Sequence, residues 1–186
     1  MRVLYITAEW PSEDYPTAGA FIVRNVKYLR RAGLEIDVYP FRGRRQISRY
    51  VNIYRKLHAR IRAQHYDLIH AQFGHSGFLV TLPKPLPLVV TFQGSELAGL
   101  YTSKGRNEWI SPFLRLAMQF VAYRADEVIL VSEHMAQYLG RKNYHVIPGG
   151  LDLEVFRPME RQEARKALGI PIDEKVVIFV APSSNG

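Results

Sequence analysis

"MRVLYITAEWPSEDYPTAGAFIVRNVKYLRRAGLEIDVYPF", residues 1–41, decides how the rest of the chain is read. Val3–Thr7 is a short apolar run suited to a buried strand. Ile22, Val26 and Leu29 then recur at i, i+4 and i+7, which is one face of a helix. Gly33 follows the last apolar turn, where a glycine ends a helix. Glu35–Phe41 supplies a second strand. Strand, helix, strand is the unit from which parallel sheets are built.

The pattern continues outward. Asp67–Phe73, Pro87–Phe92, Glu127–Ser132 and Tyr144–Pro148 read as further strands. Trp109, Phe113, Leu116 and Phe120 make one helical face before the fifth strand. Ser132 is placed to cap a short helix over Glu133–Leu139, which Gly140 would end. The fold class expected is α/β: a Rossmann-like, doubly wound parallel sheet with right-handed crossovers. Six strands complete such a domain over residues 1–150. Residues 151–174 then read as a linker with a short helix, "RQEARKALG". Residues 175–186 carry "VVIFV", Val176–Val180, expected as the opening strand of a truncated second domain.

Composition narrows the class. The 186 residues are 47% hydrophobic and 23% charged, ordinary values for a chain with a core. No apolar run approaches the length of a membrane span, and the N-terminus turns polar too soon for a secretory signal. With no cysteine, disulfides and thiolate metal sites are excluded, which fits a cytosolic protein. His58, His65, His70, His75, His134 and His145 show no metal-ligand spacing, so no metal site is expected. His58 reads as core-facing on its helix, and His70 falls within a strand.

The net charge of +8 is concentrated. Arg42, Arg44, Arg45, Arg49, Arg55, Lys56, Arg60 and Arg62 occur without an intervening acid. On a helical wheel Arg45, Arg49, Lys56 and Arg60 fall within roughly sixty degrees, opposite Ile47, Val51, Tyr54, His58 and Ile61. A stripe of this kind is either a solvated face or a docking surface for anionic lipid or a polyanionic acceptor. No helix-turn-helix, zinc-finger or aromatic RNA-binding signature accompanies it, so no nucleic acid partner is expected.

Ligands of doubly wound domains bind beyond the carboxyl ends of the strands. The loop after the first strand is long, and Gly19 and Ala20 open the helix that follows. Free amides at a helix start attract phosphate or carboxylate. The dinucleotide and phosphate-loop fingerprints are absent, as are G-x-S-x-G and a cysteine nucleophile. After the fourth strand, "QGSELAG" sets Gln93, Gly94, Ser95 and Glu96 on the rim. An amide, a hydroxyl and a carboxylate suit hydroxyl-rich ligands, though Ser95 or Glu96 could equally cap the next turn.

"YPTAGAFIVRNVKYLRRAG", "DLIHAQF", "PLVVTFQGSEL", "VILVSEHMAQYL", "HVIPGGLDLEVFRP" and "VVIFV" in that order resemble the N-terminal half of the GT-B glycosyltransferases of family 4. Pro148, Gly149, Gly150 and Asp152 match the family's junction motif I-P-N-G-V-D-x-x-x-F-x-P, with Gly149 in place of the asparagine. The resemblance implies a retaining, hexosyltransferase-like enzyme of the polysaccharide-building kind. It would use a nucleotide sugar as substrate, no other cofactor and a glycan, lipid-linked or small-molecule acceptor. It further implies two Rossmann-like lobes facing a cleft, the N-terminal one receiving the acceptor. Gly19 would approach the donor. Gln93 stands where many members carry histidine, Glu96 where they carry aspartate, and Gln72 where a second histidine is frequent. Gln93 cannot titrate, so no catalytic residue is assigned. Leu100–Asn107 reads as a mobile loop able to cover the cleft. The chain by itself is expected to be inactive. The implied location is cytoplasmic, at the inner face of a membrane where the acceptor is lipid-linked. The competing reading is a non-catalytic glycan- or phosphate-binding module of the same fold.

Overall fold

The computed structural model describes residues 1–42, 47–98 and 111–179. Its strands are β1 (Arg2–Thr7), β2 (Glu35–Pro40), β3 (Leu68–Gln72), β4 (Leu88–Phe92), β5 (Glu127–Leu130) and β6 (His145–Val146). They form one parallel sheet in the order β2-β1-β3-β4-β5-β6. The helices are α1 (Ala20–Arg31), α2 (Ile47–Ala63), α3 (Gly74–Phe78), α4 (Ser95–Ala98), α5 (Ser111–Arg124), α6 (Ala136–Leu139) and α7 (Arg161–Leu168). A parallel Rossmann-like sheet flanked by helices is thus the architecture that strand and helix periodicity predicts.

Strand order explains the layers. From β1 the chain steps one way to β2, then returns past β1 to β3 and continues the other way. Right-handed crossovers therefore send α1 to one face and α2 to α6 to the opposite face. The pleat sorts side chains accordingly. Leu4, Ile6, Ile69, Ala71, Val90 and Phe92 bury against Leu57 of α2 and Met118 and Val121 of α5. Val3, Tyr5 and Ile36 bury against Ile22 and Val26 of α1. Each fully buried Ile or Leu contributes about 1.5–3 kcal/mol. The crevice between the ends of β1 and β3 is the switch point of the sheet.

Glycine sets the packing of α3. A Cβ on Gly74 would lie 2.3 Å from Met118 Sδ, and one on Gly77 would lie 2.8 Å from Val121 Cγ1. The helix therefore touches α5 backbone-close, a segment that periodicity did not reveal because it is only a turn or so long.

Several expectations are corrected. In α5 the buried residues are Ser111, Met118, Val121 and Ala122, whereas Phe113 and Leu116 point to solvent. Both faces of this helix are apolar, so spacing alone could not choose between them; Trp109 lies outside the described residues. In α2 the core side is Tyr50, Ile53, Tyr54, Leu57, His58 and Ile61, and Val51 is exposed. Arg60 does not join an outward stripe. It sits at the border of the apolar arc and bonds Asp37 on β2, with Nη2 2.6 Å from Oδ1 and Nε 3.2 Å from Oδ2. Tyr66 donates its hydroxyl to the same carboxylate. Burial pushes the Asp37 carboxyl up, but the bonds from Arg60 and Tyr66 outweigh this and hold it below the usual range. Arg49 and Lys56 are exposed as expected, and Arg45 lies outside the described residues.

Ser132 precedes a 3-10 turn, Glu133–Met135, without a side-chain cap; Gly140 (φ 70°) ends α6 as predicted. The chain falls into two compact units, Met1–Gly150 and Leu151–Gly186. In the second, α7 ends on Gly169 (φ 66°). Val176–Phe179 pair with no strand among the described residues, and Val177 and Phe179 are exposed. Apolar β-branched composition favours a strand but cannot supply the neighbour whose amides complete it. Val180 and the residues after it lie outside the described set.

Candidate functional site

The carboxyl edge of the sheet is built by four chain segments. After β1, Thr7 Oγ1 accepts from the Glu9 N–H at 3.1 Å and donates to the Glu9 carbonyl at 3.0 Å, fixing the exit. The long loop then folds back on itself through the Ser12–Tyr15 backbone pair. Arg42, just past β2, holds it. Its guanidinium donates to the Trp10 carbonyl at 3.3 Å and Ser12 Oγ at 3.1 Å, and lies 4.2 Å over the Tyr15 ring. Gly19 arrives against Glu9 with φ 61°, where a Cβ would stand 2.6 Å from the Glu9 carbonyl oxygen. Only glycine fits that approach. Its own carbonyl accepts from Ile22 at 2.8 Å and Val23 at 3.0 Å, so the amides of Ala20 and Phe21 begin α1 with no carbonyl of their own helix to bond.

After β3 comes Phe73, a non-glycine residue at φ 67°. Backbone of this kind costs about 1–3 kcal/mol and is held by its surroundings. Here the Phe73 ring stacks on His75 at 5.3 Å and meets Phe21 edge-on at 6.4 Å. Burial pushes the His75 imidazole below its usual range. After β4, Gly94 turns the chain, and Glu96 Oε1 accepts the Gln93 N–H at 2.9 Å. Burial raises the Glu96 carboxyl despite bonds from the backbone amides of Gln93 and Gly74. Glu96 thus ties the β3 and β4 exits together, as the back-bonding acid of a capping box does.

A row of polar side chains runs beneath this edge on the α1 face. Gln93 Nε2 donates to Gln72 Oε1 at 2.7 Å, and Gln72 Nε2 donates to the Tyr5 hydroxyl at 2.5 Å. His70 Nε2 lies 2.8 Å from Thr91 Oγ1. Burial raises the Tyr5 phenol and pushes the His70 imidazole down to about 4, so both are neutral near pH 7. The row lines a cavity of about 460 Å³, closed by Tyr28 of α1, Ile129 of β5 and Ile147–Gly150. Such a wall offers uncharged donors and acceptors beside apolar surface, which suits a hydroxylated organic ligand. Among the described residues no three His, Asp or Glu side chains gather to hold a metal.

Of the residues picked from sequence, Gln93, Pro148, Gly149 and Gly150 line this cavity together. Gly19 and Ala20 stand at the start of α1, and Gly94 and Glu96 form the adjacent turn. Of Ser95 the structure describes only the backbone, at the start of α4. Asp152 belongs to the second unit, where Oδ1 accepts the Glu154 N–H at 3.1 Å. Leu100–Asn107 lies outside the described residues. Tyr5, His70 and Thr91 were missed. Their signal was two-residue spacing: His70 with Gln72, and Thr91 with Gln93, put polar groups on one face of otherwise apolar strands.

The sequence profile of Glycosyltransferase Family 4 matches residues 2–155. The putative teichuronic acid biosynthesis glycosyltransferase TuaC of Bacillus subtilis is 25% identical, covering 97% of this chain and 58% of that protein. The D-inositol 3-phosphate glycosyltransferase of Mycobacterium ulcerans is 36% identical over 127 residues, 62% of this chain and 27% of that protein. Among solved structures, sucrose-phosphate synthase from Thermosynechococcus elongatus superposes with a TM-score of 0.71 at 18% identity, over 93% of this chain and 53% of that one. Anabaena HepE, solved with UDP and glucose, gives 0.53 at 18% identity, over 91% and 50%. The chain therefore spans little more than half the length of these proteins, or less.

Proposed function

Since the chain belongs to glycosyltransferase family 4, we propose that Met1–Gly150 is the acceptor-side lobe of a retaining glycosyltransferase. The reaction moves a hexose from a nucleotide diphosphate to an acceptor hydroxyl. A bond forms between the anomeric carbon and the acceptor oxygen, the bond to the diphosphate breaks, and the hydroxyl proton leaves with the diphosphate. The acceptor class is a glycan, a lipid-linked sugar or a small polyol.

The observation that carries this reading is the uncharged row Tyr5–Gln72–Gln93 opening into a cavity at the carboxyl edge. Gln93 serves there by hydrogen bonding, holding a hydroxyl in place, which is where positioned geometry lowers the barrier. The start of α1 behind Gly19 faces the same edge and suits the donor's phosphates. Donor-site groups are expected on a companion lobe, so the 186-residue chain should turn over little or no sugar.

The test compares this chain and a protein extended by a second lobe, with labelled nucleotide hexoses and a panel of glycan and lipid-linked acceptors. Transfer by the longer protein, with Gln93→Ala raising KM for the acceptor, supports the reading. Equal turnover by the shorter chain refutes the division of labour. Binding of glycans with no transfer by either protein favours a non-catalytic module, a reading that the untitratable Gln93 rim also suits.

A further inference from the structure

A second hollow lies on the carboxyl edge, where β1 and β2 leave the sheet side by side. The Phe41 N–H donates to the Thr7 carbonyl at 3.0 Å and carries the β1–β2 pairing one bond further. The hollow is about 250 Å³ and is lined by Trp10, Pro11, Ser12, Pro40, Phe41 and Arg42. It shares no lining residue with the Tyr5–Gln72–Gln93 cavity. Sites that enclose a whole ligand run to about 300–1,000 Å³, so this one takes a ring or one end of a longer molecule. Its walls are fixed. Phe41 is buried and met edge-on by Tyr50 at 6.4 Å and His75 at 6.3 Å, and the ring of proline locks φ at Pro11 and Pro40. Arg42 stands apart from the arginines nearby. Arg2 is matched by Glu35 at 2.9 Å and Arg60 by Asp37 at 2.6 Å, but among the described residues no carboxylate pairs with Arg42. Glu9, Glu13 and Asp14 of the adjoining loop are exposed and do not reach it. Holding that loop uses Nη2 alone, through the Trp10 carbonyl and Ser12 Oγ. Nε and Nη1 have no partner among the described residues. A half-buried guanidinium with a free side and no counter-charge calls for an anion.

We propose that this hollow is a subsite for an anionic group, a carboxylate or a phosphate, carried on a sugar or polyol ring. The free side of Arg42 donates to the anion's oxygens, as guanidinium geometry favours. Ser12 Oγ accepts from Arg42, so its own proton is available to the same anion. The ring then lies against the apolar surface of Trp10 and Phe41. The inference rests on the reading of Met1–Gly150 as the acceptor-side lobe and narrows it: the acceptor is acidic. The donor's diphosphate is the other anion of the reaction and fits less well. The helix start assigned to it carries the amides of Ala20 and Phe21, and neither residue lines this hollow.

Trp10 reports on the hollow directly. The chain has two tryptophans, and Trp109→Phe leaves Trp10 as the sole one. Its fluorescence is titrated with methyl glucuronide, glucose 6-phosphate, methyl glucoside and inorganic pyrophosphate. At least one acidic sugar is expected to bind about tenfold tighter than the neutral glucoside, or better, as a charge-assisted hydrogen bond implies, and the two acidic arms tell carboxylate from phosphate. That advantage should shrink as salt rises. Arg42→Gln should erase the preference and Arg42→Lys should keep part of it. The ratio of affinities isolates the charge, because a loop merely loosened by substitution weakens acidic and neutral sugars alike. No response to any probe, equal affinity for acidic and neutral sugars, a preference that survives Arg42→Gln, or a parallel loss of both in that variant overturns the proposal. Pyrophosphate binding as tightly as the acidic sugars overturns it in favour of the donor's diphosphate. Transfer is a separate readout. Discrimination here with no transfer by the longer protein refutes the transferase reading and leaves the subsite; transfer to neutral acceptors with no discrimination does the reverse.

Discussion

Acid should expose His70. Its imidazole is desolvated on the sheet, bonded to Thr91 at 2.8 Å and edge-on to Tyr5 at 4.8 Å, and burial pushes it from 6.5 to about 4. The unfolded chain therefore binds this proton more readily than the folded one. The sign follows: the stabilisation is complete above the unfolded value and is lost as pH falls from about 6.5 towards about 4. The full difference is worth about 3 kcal/mol, of which about 2 kcal/mol disappears between pH 7 and pH 5. The perturbation is His70→Gln, whose amide can still bond Thr91 but does not titrate. The assay is urea unfolding at a series of pH values, taking native minus variant so that other carboxylates and imidazoles cancel. Loss of the Tyr5 ring contact shifts the difference by a constant. Its slope is the test: the native protein should lose about 2 kcal/mol more than the variant over that interval. A difference flat in pH would refute the reasoning, since it would mean that the imidazole is as well solvated folded as unfolded.

Other substitutions probe the site and its support. Gly19→Ala forces a Cβ to 2.6 Å from the Glu9 carbonyl at a positive φ, so melting should reveal a loss of about 1–3 kcal/mol. Gln72→Leu strands the Gln93 amide and the buried Tyr5 hydroxyl at once; a loss of about 1–3 kcal/mol is expected, and Gln72→Glu, which keeps an acceptor for Gln93, should recover part of it. Asp37→Asn weakens the forked bond to Arg60 and should cost about 1–2 kcal/mol near neutrality, the gap closing as pH drops below the ordinary carboxyl range, as chemical denaturation across pH would record.

The sheet was readable because its strands are short, apolar and punctuated, and because α1 pairs a clear apolar face with Gly33. Side-chain direction was harder. Arg60 lies at the border of the α2 apolar arc, and only the proximity of Asp37, distant in sequence, decides that it turns inward. Phe113 and Met118 are equally apolar, so α5 could be oriented only by knowing where α3 sits. Gln93 and Gly149 were found because they follow strands, where rims form. Tyr5 and Thr91 were not, because a hydroxyl inside an apolar strand looks like core until a neighbouring strand brings Gln72 or His70 beside it.

One consequence follows from the chemistry of the Tyr5–Gln72–Gln93 wall. With nothing ionised near neutrality, its grip on a guest depends on fit alone and ought to be indifferent to dissolved electrolyte. The cationic arc of α2 is the reverse case, because mobile ions compete with it directly. A brine wash would then peel the molecule from a charged support while leaving whatever fills the wall's hollow in its seat.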